Sequence, residues 1–245
     1  MMTTNKLTKI LSGVAVLGAA TATVVGITAS PSHAATLAEL LQPGASFQVD
    51  DKIFTDFFFQ PTQPGGAGCG VMGHLCGPVD PAAIMVGPAT TAYGPGLKFT
   101  GLFFAQAGVI YDIALGYTVE VLDPHKWIRD IHMTVDGIMV GEGDLEIIET
   151  VRKPDDTVVG QCKVDNHTYA GLSCGMDLIG LHKKLKVRKD IGLMGFDHVD
   201  MTTPEAVSFS ILDQEFSQTV PEPGTILGLL AVGGLGLVSR FKKQK

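Results

Sequence analysis

The sequence lacks the short motifs that mark several common enzyme classes. It contains no HExxH motif, no P-loop and no GxGxxG that is followed by a helical pattern. Zinc protease, P-loop nucleotide hydrolase and dinucleotide-dependent activities therefore have no support in the sequence. Tryptophan is also scarce, because Trp127 is the only one in 245 residues.

Positive charge is scarce in the central part of the chain. Residues 35–221 contain 12 Lys and Arg against 24 Asp and Glu, since the other six basic residues lie near the two ends. Binding to a phosphate backbone requires a basic surface. We therefore expect no nucleic-acid partner, whereas cations remain candidate ligands.

Residues 1–34 have the parts of a secretory signal peptide in the correct order. A positively charged start precedes an uncharged, apolar or small run over residues 10–27, and small residues precede a cleavage site between Ala34 and Ala35. We predict a signal helix, export through the Sec translocon and removal of the helix. The alternative interpretation is an ordinary N-terminal helix.

The C-terminal segment, residues 220–245, has a different character. Its uncharged residues 225–238 would span about 21 Å as a helix at roughly 1.5 Å per residue, against a bilayer core of about 30 Å. Extending the helix to residues 224–241, with Arg240 reaching the interface, gives roughly 27 Å. We predict a marginal transmembrane helix with its basic end in the cytoplasm, so that the preceding domain faces outward. A buried core helix is the alternative. The segment begins with Val220, Pro221, Glu222 and Pro223.

Together, the Pro-Glu-Pro sequence, the glycine-rich apolar run and the basic end resemble the PEP-CTERM sorting signal. The resemblance covers the last 26 residues, about a tenth of the chain. It implies recognition by exosortase, a membrane-embedded cysteine protease of bacteria that make abundant exopolysaccharide, and cleavage near Pro221-Glu222-Pro223. It further implies release or transfer of the preceding domain to the cell surface. The prolines agree with this role, because they keep the segment before the membrane extended.

All four cysteines lie between the two terminal signals. An even number in an oxidising compartment predicts two disulfides, and among three connectivities we favour the local pairs Cys69–Cys76 and Cys162–Cys174. The alternative is a zinc site formed by Cys69, His74 and Cys76. Neither a CxxC spacing nor a fourth ligand supports that site, and we predict no bound metal there.

The central region has the sequence pattern of strands. Apolar residues alternate with polar or small ones most clearly over residues 111–121, and no long helical stripe or repeat of 20–50 residues is present. The pattern predicts an all-β, antiparallel β-sandwich or jelly-roll-like domain over residues 35–219. We also expect a short helix at residues 37–41 and a long Gly/Pro-rich loop over residues 60–96. Further strands are expected at residues 47–49, 53–59, 127–136, 144–151, 157–163, 185–196 and 206–216.

Two acidic features are candidate functional sites. Glu142, Asp144 and Glu146 fall on one face of a strand, and paired carboxylates at suitable separation hydrolyse glycosides. The alternative is a solvated strand face that discourages edge-to-edge aggregation. Calcium is a second hypothesis, although no DxDxDG loop is present. Its candidate ligands are Asp50, Asp51, Asp123, Asp155, Asp156, Asp197 and Asp200.

Lys184, Lys186 and Arg188 fall on one face of a basic strand and form a candidate patch for an acidic polysaccharide. The alternative is a charged edge strand. Trp127 is a candidate for stacking on a sugar ring. Period-two alternation, however, puts it on the same strand face as Ile131, which favours a place in the core. The remaining minor features are scattered histidines without ligand spacing (His125, His132, His167, His182 and His198) and a glycosylation-like sequence at Asn166, His167 and Thr168.

Three functional hypotheses follow. The first is a non-catalytic surface or extracellular-matrix protein processed at its C-terminal signal. The second is a carbohydrate-binding module of the exopolysaccharide matrix, and the third is a glycan-active enzyme based on the acidic strand. We favour the first.

Overall fold

The computed structural model describes residues 28–29, 34–62, 79–137, 139–140, 143–167, 172–196 and 206–221. The predicted disulfide Cys69–Cys76 and the predicted transmembrane helix lie outside these residues. Most of the predicted signal peptide also lies outside them, although Thr28–Ala29 forms a short strand.

The described chain is almost entirely strand. One α-helix, α1 (Leu37–Leu40), has a capping box between Thr36 and Glu39 at its N-terminus. One 3₁₀ turn spans Pro81–Ala83. The strands are β1 (Thr28–Ala29), β2 (Ala35–Thr36), β3 (Ser46–Val49), β4 (Lys52–Pro61), β5 (Met85–Thr91), β6 (Gly94–Ala105), β7 (Ile110–Val121), β8 (Trp127–Asp136), β9 (Met139–Val140), β10 (Gly143–Arg152), β11 (Val158–Asp165), β12 (Ser173–His182), β13 (Lys184–Gly195) and β14 (Val207–Thr219).

The strands form two sheets that pack face to face as a β-sandwich, as the sequence pattern predicted. Sheet 1 has the order β1-β3-β4-β7-β13-β10-β11, and sheet 2 has the order β12-β8-β14-β6-β5-β2, with β9 beside β14. All pairs are antiparallel except β1 with β3. The predicted short helix and the predicted strands are present.

Alternation directs one apolar row of each strand into the space between the sheets. Aromatic rings join the sheets there, with the Phe54 and Phe216 centroids 6.0 Å apart and the Phe99 and Tyr117 centroids 6.1 Å apart. All four side chains are buried. Burial of a large apolar side chain contributes about 1.5–3 kcal/mol, so these contacts are a major part of what holds the two layers together.

The predicted long loop over residues 60–96 is wrong for its second half. β5 and the start of β6 occupy residues 85–91 and 94–96. A Cβ placed on Gly96 would lie 1.8 Å from the Gln214 carbonyl oxygen. This glycine therefore permits close approach of two strands and does not mark a loop.

The predicted core position of Trp127 is also wrong. Asp130 pairs with Ser217 and Ile128 pairs with Gln218, so Arg129 is an extra residue that forms a bulge in β8. The bulge changes the phase of alternation and gives the inward position to Ile128, which is fully buried. Trp127 is half-buried, with the Lys183 ammonium 4.8 Å from its ring centroid.

The predicted disulfide between Cys162 and Cys174 is present, with a Cα–Cα distance of 6.2 Å. Cys162 lies in β11, at one edge of sheet 1, and Cys174 lies in β12, at one edge of sheet 2. The bond therefore joins the two sheets covalently along one side of the sandwich.

Candidate functional site

A row of three residues crosses the outer face of sheet 1. Phe58 pairs with Gly116 across β4 and β7, and Gly116 pairs with Arg188 across β7 and β13. A Cβ on Gly116 would lie 3.3 Å from the Phe58 ring, and the Arg188 guanidinium carbon lies 5.5 Å from that ring's centroid. The missing side chain at Gly116 thus lets an aromatic ring and a guanidinium meet on the sheet surface.

A bulge in β4 places Phe58 on this outer face. Thr55 and Phe58 pair with successive outward residues of β7, so that Asp56 and Phe57 together oppose Tyr117. Asp56 adopts a φ of 53°, and Phe57 turns into the core against the Tyr117 ring. Without the extra residue, strict alternation would direct Phe58 inward.

The row forms one wall of a shallow groove of about 470 Å³. Its chemistry combines an exposed aromatic edge, a hydroxyl, two cations and one carboxylate. Such a surface can contact the apolar face of a sugar ring and bind an acidic substituent. The lining residues are Asp56, Phe58, Gly116, Tyr117, Thr118, Lys186, Val187 and Arg188, of which Tyr117 and Val187 have buried side chains.

The structure places Lys184, Lys186 and Arg188 on one face, as predicted, but β13 is not an edge strand. It lies between β7 and β10 in the middle of sheet 1. Lys184 pairs with Glu120 at 2.9 Å, and Lys186 pairs with Asp156 at 2.8 Å. The three cations therefore differ in their partners. Lys184 and Lys186 are neutralised by carboxylates, whereas the Arg188 guanidinium lies over the Phe58 ring.

The acidic strand β10 lies between β13 and β11, so it is not an edge strand either. Asp144 contacts the ring of His167, and Glu146 pairs with Lys163 at 2.5 Å. Glu142 lies outside the described residues. Asp144 and Glu146 each have a basic neighbour, which is the arrangement of a charge-compensated surface.

The described aspartates of the proposed calcium set lie in three separate loops. Asp51 pairs with Lys126 at 3.1 Å and with Lys52 at 3.5 Å. Partial burial opposes ionisation of Asp51, but these cations and Gln218 lower its pKa. In the part of the chain that the structure describes, no three His, Cys, Asp or Glu side chains are grouped to hold a metal. Asp197 and Asp200 lie outside it.

The asparagine of the glycosylation-like sequence has a structural role. The Asn166 side chain accepts a hydrogen bond from the Leu145 amide at 2.9 Å and donates one to the Gly143 carbonyl at 2.8 Å. These bonds continue the pairing at the end of β10.

Residues 171–175 spell Gly-x-Ser-x-Gly, the pattern of the serine-hydrolase nucleophile. That chemistry requires a strand–turn–helix elbow. Ser173 instead begins β12, and the next residue, Cys174, is disulfide-bonded. Ser173, Cys174 and Gly175 of the pattern are therefore part of an edge strand.

Sequence reasoning missed a polar cluster in the centre of the core. Lys189 and Glu149 are fully buried and form an ion pair, and Lys189 also donates to the Gln214 side chain from the other sheet. Burial lowers the pKa of Lys189, although Glu149 opposes this, and burial together with Glu149 raises the pKa of Tyr117. The signal was present in the alternation, because Lys189 continues the inward row of Val187.

The outer face of sheet 2 has its own aromatic contact. The rings of Tyr93 and His132 stack with centroids 3.9 Å apart, and Glu215 pairs with His132 across the strands. Glu215 is 2% exposed, and this burial raises its pKa. A hydrogen bond with Thr91 acts in the opposite direction and lowers the pKa, but its effect is smaller.

Strand β14 leads out of the sandwich at a well-defined end. Thr219, its last residue, still pairs with Trp127. Val220 and Tyr93 line a shallow depression of about 340 Å³ there, together with Lys126. A sequence profile of the PEP-CTERM protein-sorting motif matches residues 219–243, which begin at this last paired residue.

The chain carries a PEP-CTERM sorting motif. The motif implies processing by exosortase and indicates an exported protein that passes through the membrane. No helix of the described residues is long and apolar enough to span a membrane.

Comparison with other proteins gives the following likenesses for this chain. It resembles a carbohydrate-binding module of the β-sandwich superfamily (11% identity, 66% of this chain and 56% of that chain, TM-score 0.31). It also resembles a module in complex with β-1,4-galactotriose (14% identity, 66% and 88% of the two chains, TM-score 0.29) and a DUF4465 family protein from Bacteroides caccae (13% identity, 53% and 79%, TM-score 0.22). No curated protein matches the sequence.

Proposed function

We propose that this chain is a non-catalytic, exported cell-surface protein whose β-sandwich is carried to the membrane by its PEP-CTERM tail and separated from the tail by exosortase. One observation carries the proposal. The sorting motif begins at Thr219, which is the last residue to pair within the sheets in the part of the chain that the structure describes.

The position of the motif makes processing compatible with the fold. β14 lies between β8 and β6 in sheet 2, and its own paired residues extend from Val207 to Thr219. A cut near Pro221-Glu222-Pro223 leaves all of these pairs in place. A cut several residues earlier would remove part of a central strand, which a sandwich does not tolerate.

The side chains on the acidic strand support a non-catalytic role. An inverting or retaining glycosidase needs two carboxyl groups that face a shared cleft. Asp144 and Glu146 instead contact separate basic partners, His167 and Lys163. Each of these carboxylates is therefore engaged by its own protein partner.

Cell fractionation of an exosortase-containing host tests the proposal. The natural chain should reach the surface fraction, and a variant with Pro221, Glu222 and Pro223 replaced by Ala should remain in the membrane fraction at a higher mass. The matched control replaces Lys153, Pro154 and Asp155 by Ala, in the turn between β10 and β11 of the same domain. Equal surface delivery of the tail variant and the natural chain would refute the proposal.

A second candidate function is glycan binding, favoured by the row of Phe58, Gly116 and Arg188. We propose an acidic sugar of the exopolysaccharide matrix as the ligand, because the groove joins an aromatic edge to the Arg188 guanidinium. Affinity chromatography on acidic polysaccharide tests it. Arg188→Gln and Phe58→Ala should each weaken retention, whereas Arg129→Gln, which removes an exposed arginine from sheet 2, should not. Equal retention of all three variants would refute glycan binding in this groove.

A further inference from the structure

One end of the sandwich, here named the exit end, is formed by the elements around the last residue of β14. It comprises the turn at Asp50 and Asp51, the turn at Ala92 and Tyr93, the loop at residues 122–126, Lys183 and Val220. Hydrogen bonds and ion pairs join these elements: Leu122 donates to the Asp51 carbonyl, Lys126 pairs with Asp51, and Lys183 donates to the Asp123 carbonyl. The exit end is therefore a continuous surface.

We infer that the exit end rests on a phospholipid bilayer while the tail is uncut, with its exposed apolar side chains in the lipid interface. This inference rests on the proposed function, because it requires the tail to be inserted in the membrane.

The short connection between the sandwich and the tail supports the contact. Thr219 is held in sheet 2, and only four residues separate it from the apolar run that begins at Gly224. Four extended residues reach at most about 14 Å, at roughly 3.3–3.6 Å each. Pro221 and Pro223 further restrict this connection. The tail thus holds the exit end close to the bilayer.

The composition of the exit end suits a lipid interface. Tyr93 is 50% exposed, Leu122 is 48% exposed and Val220 is 55% exposed. Tyr93 and Val220 border the same depression, and Leu122 begins the adjoining loop. Tyrosine and tryptophan favour boundaries where one side is apolar and the other is wet, and the half-buried Trp127 lies beside this surface.

Lys126 and Lys183, the cations of the exit end, have partners within the protein. Lys126 lies 3.1 Å from Asp51, and the Lys183 ammonium donates to two loop carbonyls and lies over the Trp127 ring. Apolar contact, and not attraction to anionic lipid, is therefore the interaction that we assign. The contact should form on zwitterionic vesicles and persist in high salt.

Trp127 allows a direct test, because it is the only tryptophan of the chain. The mature chain with its tail intact is reconstituted into phosphatidylcholine vesicles without exosortase. Its fluorescence is then compared between ordinary lipid and lipid brominated near the headgroup end of the acyl chains. We expect quenching of the natural chain, unchanged by high salt, and loss of quenching in the double variant Tyr93→Asp/Leu122→Asp.

The matched control is Leu102→Asp/Ile110→Asp, which introduces the same two charges at exposed apolar residues near the end of β6 and at the start of β7. It should be quenched like the natural chain, and circular dichroism checks that each variant is folded. Vesicle flotation separates the two proposals. A chain that fails to float with vesicles contradicts membrane insertion of the tail, and with it the proposed function. A chain that floats without quenching, or a double variant quenched like the natural chain, overturns the inference alone.

Discussion

Lys189 and Glu149 face each other from neighbouring strands and form an ion pair in the interior of the sandwich, with neither side chain exposed to solvent. The Gln214 side chain from the opposite sheet accepts a hydrogen bond from the same ammonium. The pair therefore links both sheets through polar contacts in a largely apolar core.

We predict that breaking this pair is far more harmful than replacing it. Glu149→Leu leaves Lys189 buried without a counter-charge and should lower the free energy of unfolding by about 3–5 kcal/mol. The double variant Glu149→Leu/Lys189→Met removes both charges and should lie close to the natural protein or above it. Urea denaturation measures both values. A double variant that is less stable than Glu149→Leu would contradict this account of the core.

The second prediction concerns the glycine beneath the aromatic row. A Cβ at Gly116 would lie 2.9 Å from the Val187 carbonyl oxygen and 3.3 Å from the Phe58 ring. Gly116→Ala should therefore destabilise the fold by about 1–3 kcal/mol, because the strand and the ring must shift. At Gly192, on the same sheet, the nearest atom would lie 3.8 Å away. Thermal denaturation should show little change for Gly192→Ala, and equal effects of the two substitutions would argue against the close packing described for Gly116.

The third prediction concerns pH. Burial lowers the pKa of Lys52 from its ordinary value of 10.5 to about 8, although Asp51 opposes this shift. Between these two values the unfolded chain binds more protons than the folded chain, so this residue makes stability increase as pH rises through that window. Below pH 8 the Lys52 side chain is protonated in both the folded and the unfolded state, and the unfavourable free energy of burying its ammonium is fully present.

Lys52→Met should therefore remove this increase, whereas Lys184→Met, at an exposed lysine, should retain it. The measurement is the free energy of unfolding in urea at several pH values from 7 to 10.5, compared between each variant and the natural protein. Parallel curves for the natural protein and Lys52→Met would show that the ammonium is not buried.

The fourth prediction concerns the bond between the sheets. Cys162 and Cys174 are 12 positions apart, and a closed loop of this size contributes about 3 kcal/mol in the chain-entropy description. The double variant Cys162→Ser/Cys174→Ser should lose an amount of this order. To isolate this bond, a reductant is added under non-denaturing conditions to a background variant, Cys69→Ser/Cys76→Ser. It should have a similar effect there, and no effect once Cys162 and Cys174 are also replaced by serine. If reduction of the Cys162–Cys174 bond left the free energy of unfolding unchanged, a stabilising role for the bond would be contradicted.

The fold was largely predictable because period-two alternation is a direct consequence of strand geometry. Residues 111–121, which alternate without interruption, correspond to β7 almost exactly as predicted. The errors occur where a local backbone feature breaks the pattern. The extra residue Arg129 moved Trp127 out of the core, and the glycines at 94–96 mark strand contact and not a loop.

The candidate site was predictable only in part. The sequence placed Lys184, Lys186 and Arg188 on one face, since that follows from alternation within one strand. Their neighbours come from strands that are distant in the sequence, so neither the Phe58 contact nor the pairing with Glu120 could be foreseen. The bulge that directs Phe58 outward has no sequence signal of its own. The buried Lys189 follows the inward row, but its charge favoured an interpretation as a surface residue.

The central claim is that the last segment of this chain is removed after it has directed a folded β-sandwich to the cell surface. Intact-mass spectrometry of the protein isolated from the surface of an exosortase-containing host tests it most directly. We predict one species that begins at Ala35 and ends between Val220 and Pro223. A surface form that still contains Lys245, or one that ends before Thr219, would contradict the account.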